Sequence, residues 1–312
     1  MLFFTRFALV FGGLALAFGV MLGAGLRQGL LALLGIGFGA VLQGARFGFT
    51  TGWRNYIEHR DPRGLWAQML LLVLAAALTL PLLANSTGEL VGAVAPLTLS
   101  LVLGSFLFGA AMQLADGCGS GTLYKAGAGA PMSIAVLPTF AIGSFIGASH
   151  QPAWIALGGL PPIDMLQFGW PTALAITVIG CGLVAWLAGQ GARRHRARLA
   201  AAGQTVTLGS AKHWWIGAVL LAVLYLVHLV VAGQPWGIVY GIGLWGAKAA
   251  TALGWSPVGD AFWGAAPHAQ RLAEPILADV TSVTNIGLVF GAFAASRWNG
   301  PADIRVPSAK RL

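Results

Sequence analysis

The stretch Gln113-Leu-Ala-Asp-Gly-Cys-Gly-Ser-Gly-Thr-Leu-Tyr-Lys125 interrupts an apolar run that begins at Ala95 and resumes at Pro131. Each unpaired backbone group in hydrocarbon costs several kcal/mol, so irregular chain at membrane depth persists only where protein or a polar cavity covers it. An acid, a base, a thiol, hydroxyls and three glycines at such a place mark a candidate site. The surrounding composition is what puts this stretch at membrane depth. Of the 312 residues, 57% are hydrophobic and 9% charged, too little polar surface to cover a water-soluble globule. Windows of ~20 apolar residues, the span of ~30 Å of hydrocarbon, pass without a charge.

Working outward from Cys118, nine apolar elements are legible: Phe3 to Leu22, Gln28 to Phe47, Gly64 to Leu83, Ala95 to Leu114, Pro131 to Ser149, Gln167 to Gln190, Trp214 to Ala232, Trp236 to Leu253 and Pro275 to Ala295. The first lacks a short core followed by a small-residue cleavage site and reads as a retained span. The polar stretch Arg54 to Arg63 closes the second element. Arg193, Arg194, Arg196, Arg198 and Lys212 form a basic loop without an acid, whereas His150 to Gln167 carries no lysine or arginine. The positive-inside bias therefore puts the basic loop in the cytoplasm. Nine full crossings would leave Arg305, Lys310 and Arg311 outside, so either one element, Trp236 to Leu253 before the others, is re-entrant or the tail breaks the positive-inside rule. The net charge of +9 then reports topology and not nucleic-acid affinity. Cys118 and Cys181, both in apolar surroundings, offer no disulfide framework.

The two sides of the basic loop resemble each other. Phe38-Gly-Ala-Val-Leu-Gln-Gly-Ala-Arg46 matches Tyr240-Gly-Ile-Gly-Leu-Trp-Gly-Ala-Lys248, and Leu107-Phe-Gly-Ala110 matches Val289-Phe-Gly-Ala292 in the same order. Related halves with glycine-interrupted apolar segments point to a transporter whose substrate sits between broken helices. The organisation expected is a first half at 1–190, the basic cytoplasmic loop at 191–212, a second half at 213–300 and a tail at 301–312. The fold class is all-α and polytopic, with about eight to nine spanning helices.

Phe108-Gly-Ala-Ala-Met-Gln-Leu-Ala-Asp-Gly-Cys-Gly-Ser-Gly-Thr-Leu resembles the signature of the YeeE/YedE sulfur-transport family. Pro235-Trp-Gly-Ile, Leu244-Trp-Gly-Ala-Lys248 and Leu277-Ala-Asp-Val-Thr-Ser-Val-Thr-Asn-Ile-Gly287 look like its second half. The resemblance implies a multi-pass inner-membrane protein of pseudo-symmetric halves with short re-entrant helices, taking up thiosulfate past a cysteine in each constriction. Here the first-half cysteine expected after Arg46-Phe is Gly48, and Gly300 stands opposite Cys118 in the second half. Only Cys118 is kept, which rules out a three-thiol relay.

A thiosulfate-like dianion needs donors that release it. The glycine turn Gly117 to Gly121 exposes backbone N–H groups, and a following helix adds its positive end. Ser120 and Thr122 add hydroxyls, Cys118 a weak S–H donor and a soft sulfur, and Lys125 a positive field, with Asp116 expected to pair with Lys125 or a backbone N–H. The competing reading is a tight turn holding a passive thiol. Arg46 and Lys248, at matching repeat positions, attract an anion if they face inward and snorkel to the interface otherwise. Gln43 and Trp245, also matched, line a constriction or simply pack. Asp279, Thr281, Ser282, Thr284 and Asn285 form a polar helical face that serves either interhelical hydrogen bonds or a substrate path. Cys181 reads as packing.

The function expected is thus a permease, not an enzyme, for a small sulfur-containing anion. Its partners are the lipid bilayer and that anion, with no nucleic acid, metal or cofactor. Two alternatives stand beside it: a membrane sulfur relay in which a Cys118 persulfide hands sulfur to a cytoplasmic sulfur-carrier protein, and a structural membrane subunit.

Overall fold

A computed structural model describes residues 2–86, 88–202, 204 and 210–299. It is almost wholly helical: α1 Leu2–Ala24, α2 Leu26–Gly44, α3 Phe49–His59, α4 Arg63–Asn85, α5 Leu99–Leu114, α6 Gly119–Gly127, α7 Pro131–Ala156, α8 Trp170–Ala201, α9 Lys212–Ala232, α10 Ile238–Ala252, α11 Ala266–Ala273 and α12 Val280–Arg297. A two-residue antiparallel pair, β1 Leu97–Thr98 and β2 Gly159–Leu160, ties the entrance of α5 to the connection after α7. The protein is an all-α polytopic membrane protein. Among the described residues seven segments are long and apolar enough to span: Leu2–Ala24, Leu26–His59, Arg63–Asn85, Leu99–Gly127, Pro131–Ala156, Trp170–Ala201 and Lys212–Ala232. By rise per residue, α10 reaches ~22 Å and α12 ~27 Å, both short of the ~30 Å of hydrocarbon.

All nine apolar stretches are helices, but the segments between them differ from expectation. Arg193 to Ala201 continue α8 instead of forming a loop, because Ala, Arg and Leu are good helix formers and no breaker intervenes. Arg54 lies within the separate amphipathic helix α3, whose apolar positions are too few to read as a span. Gly119 to Gly121 belong to the first turn of α6 instead of the preceding turn. Gly300 and the tail cations Arg305, Lys310 and Arg311 lie outside the described residues.

The chain forms two compact units. The first comprises the described residues of Met1–Gln43, Val94–Ile163 and Trp236–Leu312, the second Gly44–Ala93 and Asp164–Pro235. The first is built around α12, ten of whose residues are buried. Small residues let backbones touch there: a Cβ added at Gly39 would stand 2.0 Å from Leu288 O, and one at Gly291 2.0 Å from Ile36 O. Dispersion and shape, rather than water exclusion, drive such contacts in lipid. Polar side chains fasten the same core. Asp279 caps α12 by accepting from Ser282 N–H at 2.7 Å, Trp236 Nε1 donates to Asn285 Oδ1 at 3.0 Å, and Trp245 Nε1 donates to Ser282 Oγ at 2.9 Å. The outer helices contrast with this. Helix α5 has no buried residue and α7 only Ser133, as expected of surfaces that face acyl chains.

The second unit packs α3, α4, α8 and α9. Gly64 approaches Gly52, since an added Cβ would lie 2.9 Å from Gly52 Cα, and Trp66 Nε1 donates to Ala185 O at 2.9 Å. The turn between α3 and α4 is held by Arg63, which donates to both oxygens of Asp61 at 2.8 Å. Burial of Asp61 opposes ionisation, but the Arg63 hydrogen bonds and charge outweigh it and hold the carboxyl below its ordinary value.

Candidate functional site

The break between α5 and α6 is only Ala115 to Cys118. Asp116 takes a left-handed conformation (φ 55°), and Gly117 N–H bonds back to Met112 O at 3.0 Å, which together close α5 with a Schellman motif. A non-glycine residue at positive φ carries strain that its surroundings must hold. Lys125 supplies that hold, its Nζ donating to the Asp116 carboxylate at 2.8 Å and to the Asp116 carbonyl. Gly117 is required for packing: a Cβ would lie 2.8 Å from Thr122 N.

Cys118 then occupies the N-cap of α6 in extended conformation (φ −78°, ψ −172°). Its carbonyl accepts from Thr122 N–H at 2.8 Å, and its Sγ lies 3.5 Å from Ser120 Oγ. The N–H groups of Gly119, Ser120 and Gly121 have no intrahelical acceptor, as in the first turn of any helix, and carry the positive end of its dipole. Cys118, Gly117, Gly119 and Thr122 line a cavity of about 340 Å³ against Met112 of α5 and Phe140 and Ser144 of α7. The cavity is thus mostly apolar, with a thiol, hydroxyls and a helix N-terminus as its polar contacts.

Of the other residues singled out from the sequence, Ser120 and Gly121 sit on the first turn of α6 without lining this cavity, and Gly121 faces the Cys118 thiol. Lys125 pairs with Asp116. Lys248 donates to Leu272 O at 2.7 Å and to Glu274 O, where it caps the end of α11, and Trp245 bonds Ser282. Gln43 is half-buried on α2. Arg46 is exposed in the second unit, where it lines a cavity of about 10 Å³ with Gly48, Gln68 and Trp214. Within the first unit the cavity is thus lined by Gly117, Cys118, Gly119 and Thr122, and Gln43, Trp245 and Lys248 are not part of its lining.

One relation escaped the sequence reading. After α2, Arg46 takes φ 46° and Gly48 caps α3 in extended conformation, the same design as Asp116 and Cys118 after α5. The signal was present, because Phe38-Gly-Ala, Gln43 and Ala45 recur as Phe108-Gly-Ala, Gln113 and Ala115, a constant 70 positions on. Gln68 was missed as well. Its Nε2 donates to Gly48 O at 2.9 Å and Phe49 O at 3.1 Å, which fixes the start of α3.

A polytopic helical protein whose apolar helices break at polar turns, one of them opening a cavity, has the construction of a membrane transport protein. The chain belongs to the sulphur transport family, whose model matches residues 44–312. A thiosulfate transporter, TsuA of Spirochaeta thermophila, is 29% identical to it over 123 residues, 39% of this chain. That match spans 37% of the length of the relative.

Proposed function

We propose that the protein is a permease of the cell inner membrane for a small sulfur-containing anion such as thiosulfate, with Cys118 and the N-terminus of α6 as its central contact. The observation that carries this reading is the position of Cys118: it caps α6 and lines the cavity of about 340 Å³. An anion there would accept hydrogen bonds from the first-turn N–H groups of α6 and from the thiol, while a soft sulfur faces the sulfane end. With Lys125 engaged by Asp116, the site holds the anion by dipoles instead of a full countercharge. Weak, distributed donors suit a site that must also release its ligand. The partial match to a thiosulfate transporter supports the substrate class.

Proteoliposomes containing the purified protein should take up labelled thiosulfate, and labelled sulfite and sulfide tested in parallel rank the substrate class. Absence of uptake for all three would end the permease reading. A stable +32 Da adduct on Cys118 after thiosulfate exposure, with transfer to a cytoplasmic sulfur-carrier protein, would favour the relay instead.

A further inference from the structure

The second unit carries a cluster of cations that the transport reading leaves unused. Arg60 ends α3, Lys212 opens α9, and Arg193, Arg194, Arg196 and Arg198 occupy the last turns of α8. Contacts bring these ends together. Gly191 of α8 packs on Tyr56 of α3 so closely that a Cβ would stand 2.2 Å from its hydroxyl. Arg63, the first residue of α4, lies 5.9 Å over the Trp214 ring in the first turn of α9. The field of Arg196 also reaches Asp61 in the turn between α3 and α4. All six cations are exposed. The acids beside them are Glu58, itself exposed, and Asp61, whose two oxygens Arg63 already occupies.

Where this cluster sits relative to lipid follows from helix length. Trp170 to Ala192, the last buried residue of α8, is ~34 Å of helix, enough to cross ~30 Å of hydrocarbon. Arg193 and the arginines after it therefore emerge in the headgroup layer. Large apolar side chains lie exposed among the same helix ends: Ile57 at 61% on α3, and Ile216 at 60% beside Trp215 on α9. A purely acidic soluble surface would leave these side chains in water, whereas acyl chains cover them and phosphates meet the cations above. The guanidinium fork also matches phosphate oxygens two at a time.

We propose that this end of the second unit is a binding surface for anionic phospholipid headgroups. The full-length protein, exchanged into micelles holding equal phosphatidylglycerol and phosphatidylcholine, is examined by native mass spectrometry for retained lipid. The wild type should keep the anionic lipid at least about fivefold over the zwitterionic one. Joint replacement Arg193→Gln, Arg194→Gln, Arg196→Gln and Arg198→Gln should bring that preference below about twofold, with an unchanged unfolding midpoint in phosphatidylcholine alone. If that variant unfolds, Arg60→Gln with Lys212→Gln tests the same surface without touching α8 and should lower the preference in the same direction. Equal retention of both lipids by the wild type, or an unchanged preference in a folded variant, overturns the proposal. So does displacement of the lipid by millimolar inorganic phosphate, or an oligoglutamate peptide that binds equally well in the presence of phosphatidylglycerol, which would point to free phosphate or an acidic protein.

Discussion

The break after α2 and the break after α5 share a backbone and differ in what surrounds them. Arg46 and Asp116 turn the chain at positive φ, and Gly48 and Cys118 cap the next helix. Helix α2, however, arrives with seven buried residues and touches α12 backbone to backbone, whereas α5 has none buried. The cavity at Gly48 is about 10 Å³ and that at Cys118 about 340 Å³. One turn design thus serves in one place as a packed join and in the other as the wall of a cavity, and packing and side chains decide which.

The largest effect expected separates the two helices that lead into the breaks. Gly39→Val forces a side chain into Leu288 O and should abolish folded, monodisperse protein, while Gly109→Val, whose Cβ meets nothing within 4 Å, should leave it intact. Size-exclusion profiles and melting curves decide it. Equal behaviour of the two would show that α2 is no better anchored than α5.

Next comes the mouth of the cavity. A Cβ at Gly119 makes ordinary contacts with Val239, Ile238 and Phe140 at 3.4 to 3.6 Å, so Gly119→Val should fold. Its methyl groups would then crowd the cavity and reduce uptake by about tenfold or more, a barrier change of about 1.4 kcal/mol. Loss of expression instead would make Gly119 a packing residue.

Lys125→Met tests what holds the strained turn. Asp116 is half exposed, so solvent screens the pair and the stability loss should stay below about 1 kcal/mol. Uptake should fall by a few-fold, as Asp116 is no longer tied to α6.

The smallest effect lies beside the first break. Because Asp61 has a depressed carboxyl pKa, its pairing with Arg63 stabilises the fold above the ordinary value of 3.8 and loses that contribution as pH falls through the lower folded value. Melting curves at descending pH should show wild type converging on Asp61→Asn only in that acid window. Convergence already at neutral pH would contradict the depressed pKa.

Hydrocarbon thickness made the nine apolar elements legible, since a span needs an uninterrupted apolar run and Cys118 interrupts one. Local pattern also made the Asp116 and Lys125 pair legible, nine residues apart across a single turn. What stayed hidden depends on partners distant in the chain. The polar face from Asp279 to Asn285 leaves two readings open in sequence, and only the fold shows that Trp236 and Trp245 donate to it. Lys248 reads from sequence either as an anion attractor or as a base at the interface, and only the fold shows it donating to the Leu272 and Glu274 carbonyls at the end of α11. The basic segment read as a loop because charge signals topology, yet charge does not stop a helix, and α8 runs on to Ala201.

The most direct test of the account is thiosulfate uptake by proteoliposomes carrying wild type, Cys118→Ser and Cys118→Ala. Contact through hydrogen bonding predicts partial uptake for the serine variant, which keeps a donor at the N-cap of α6, and a greater loss for alanine. Equal inactivity of the two would contradict it, because a hydroxyl is a far poorer sulfur nucleophile than a thiolate, and the thiol would then act covalently. Undiminished uptake by the alanine variant would remove Cys118 from the path altogether.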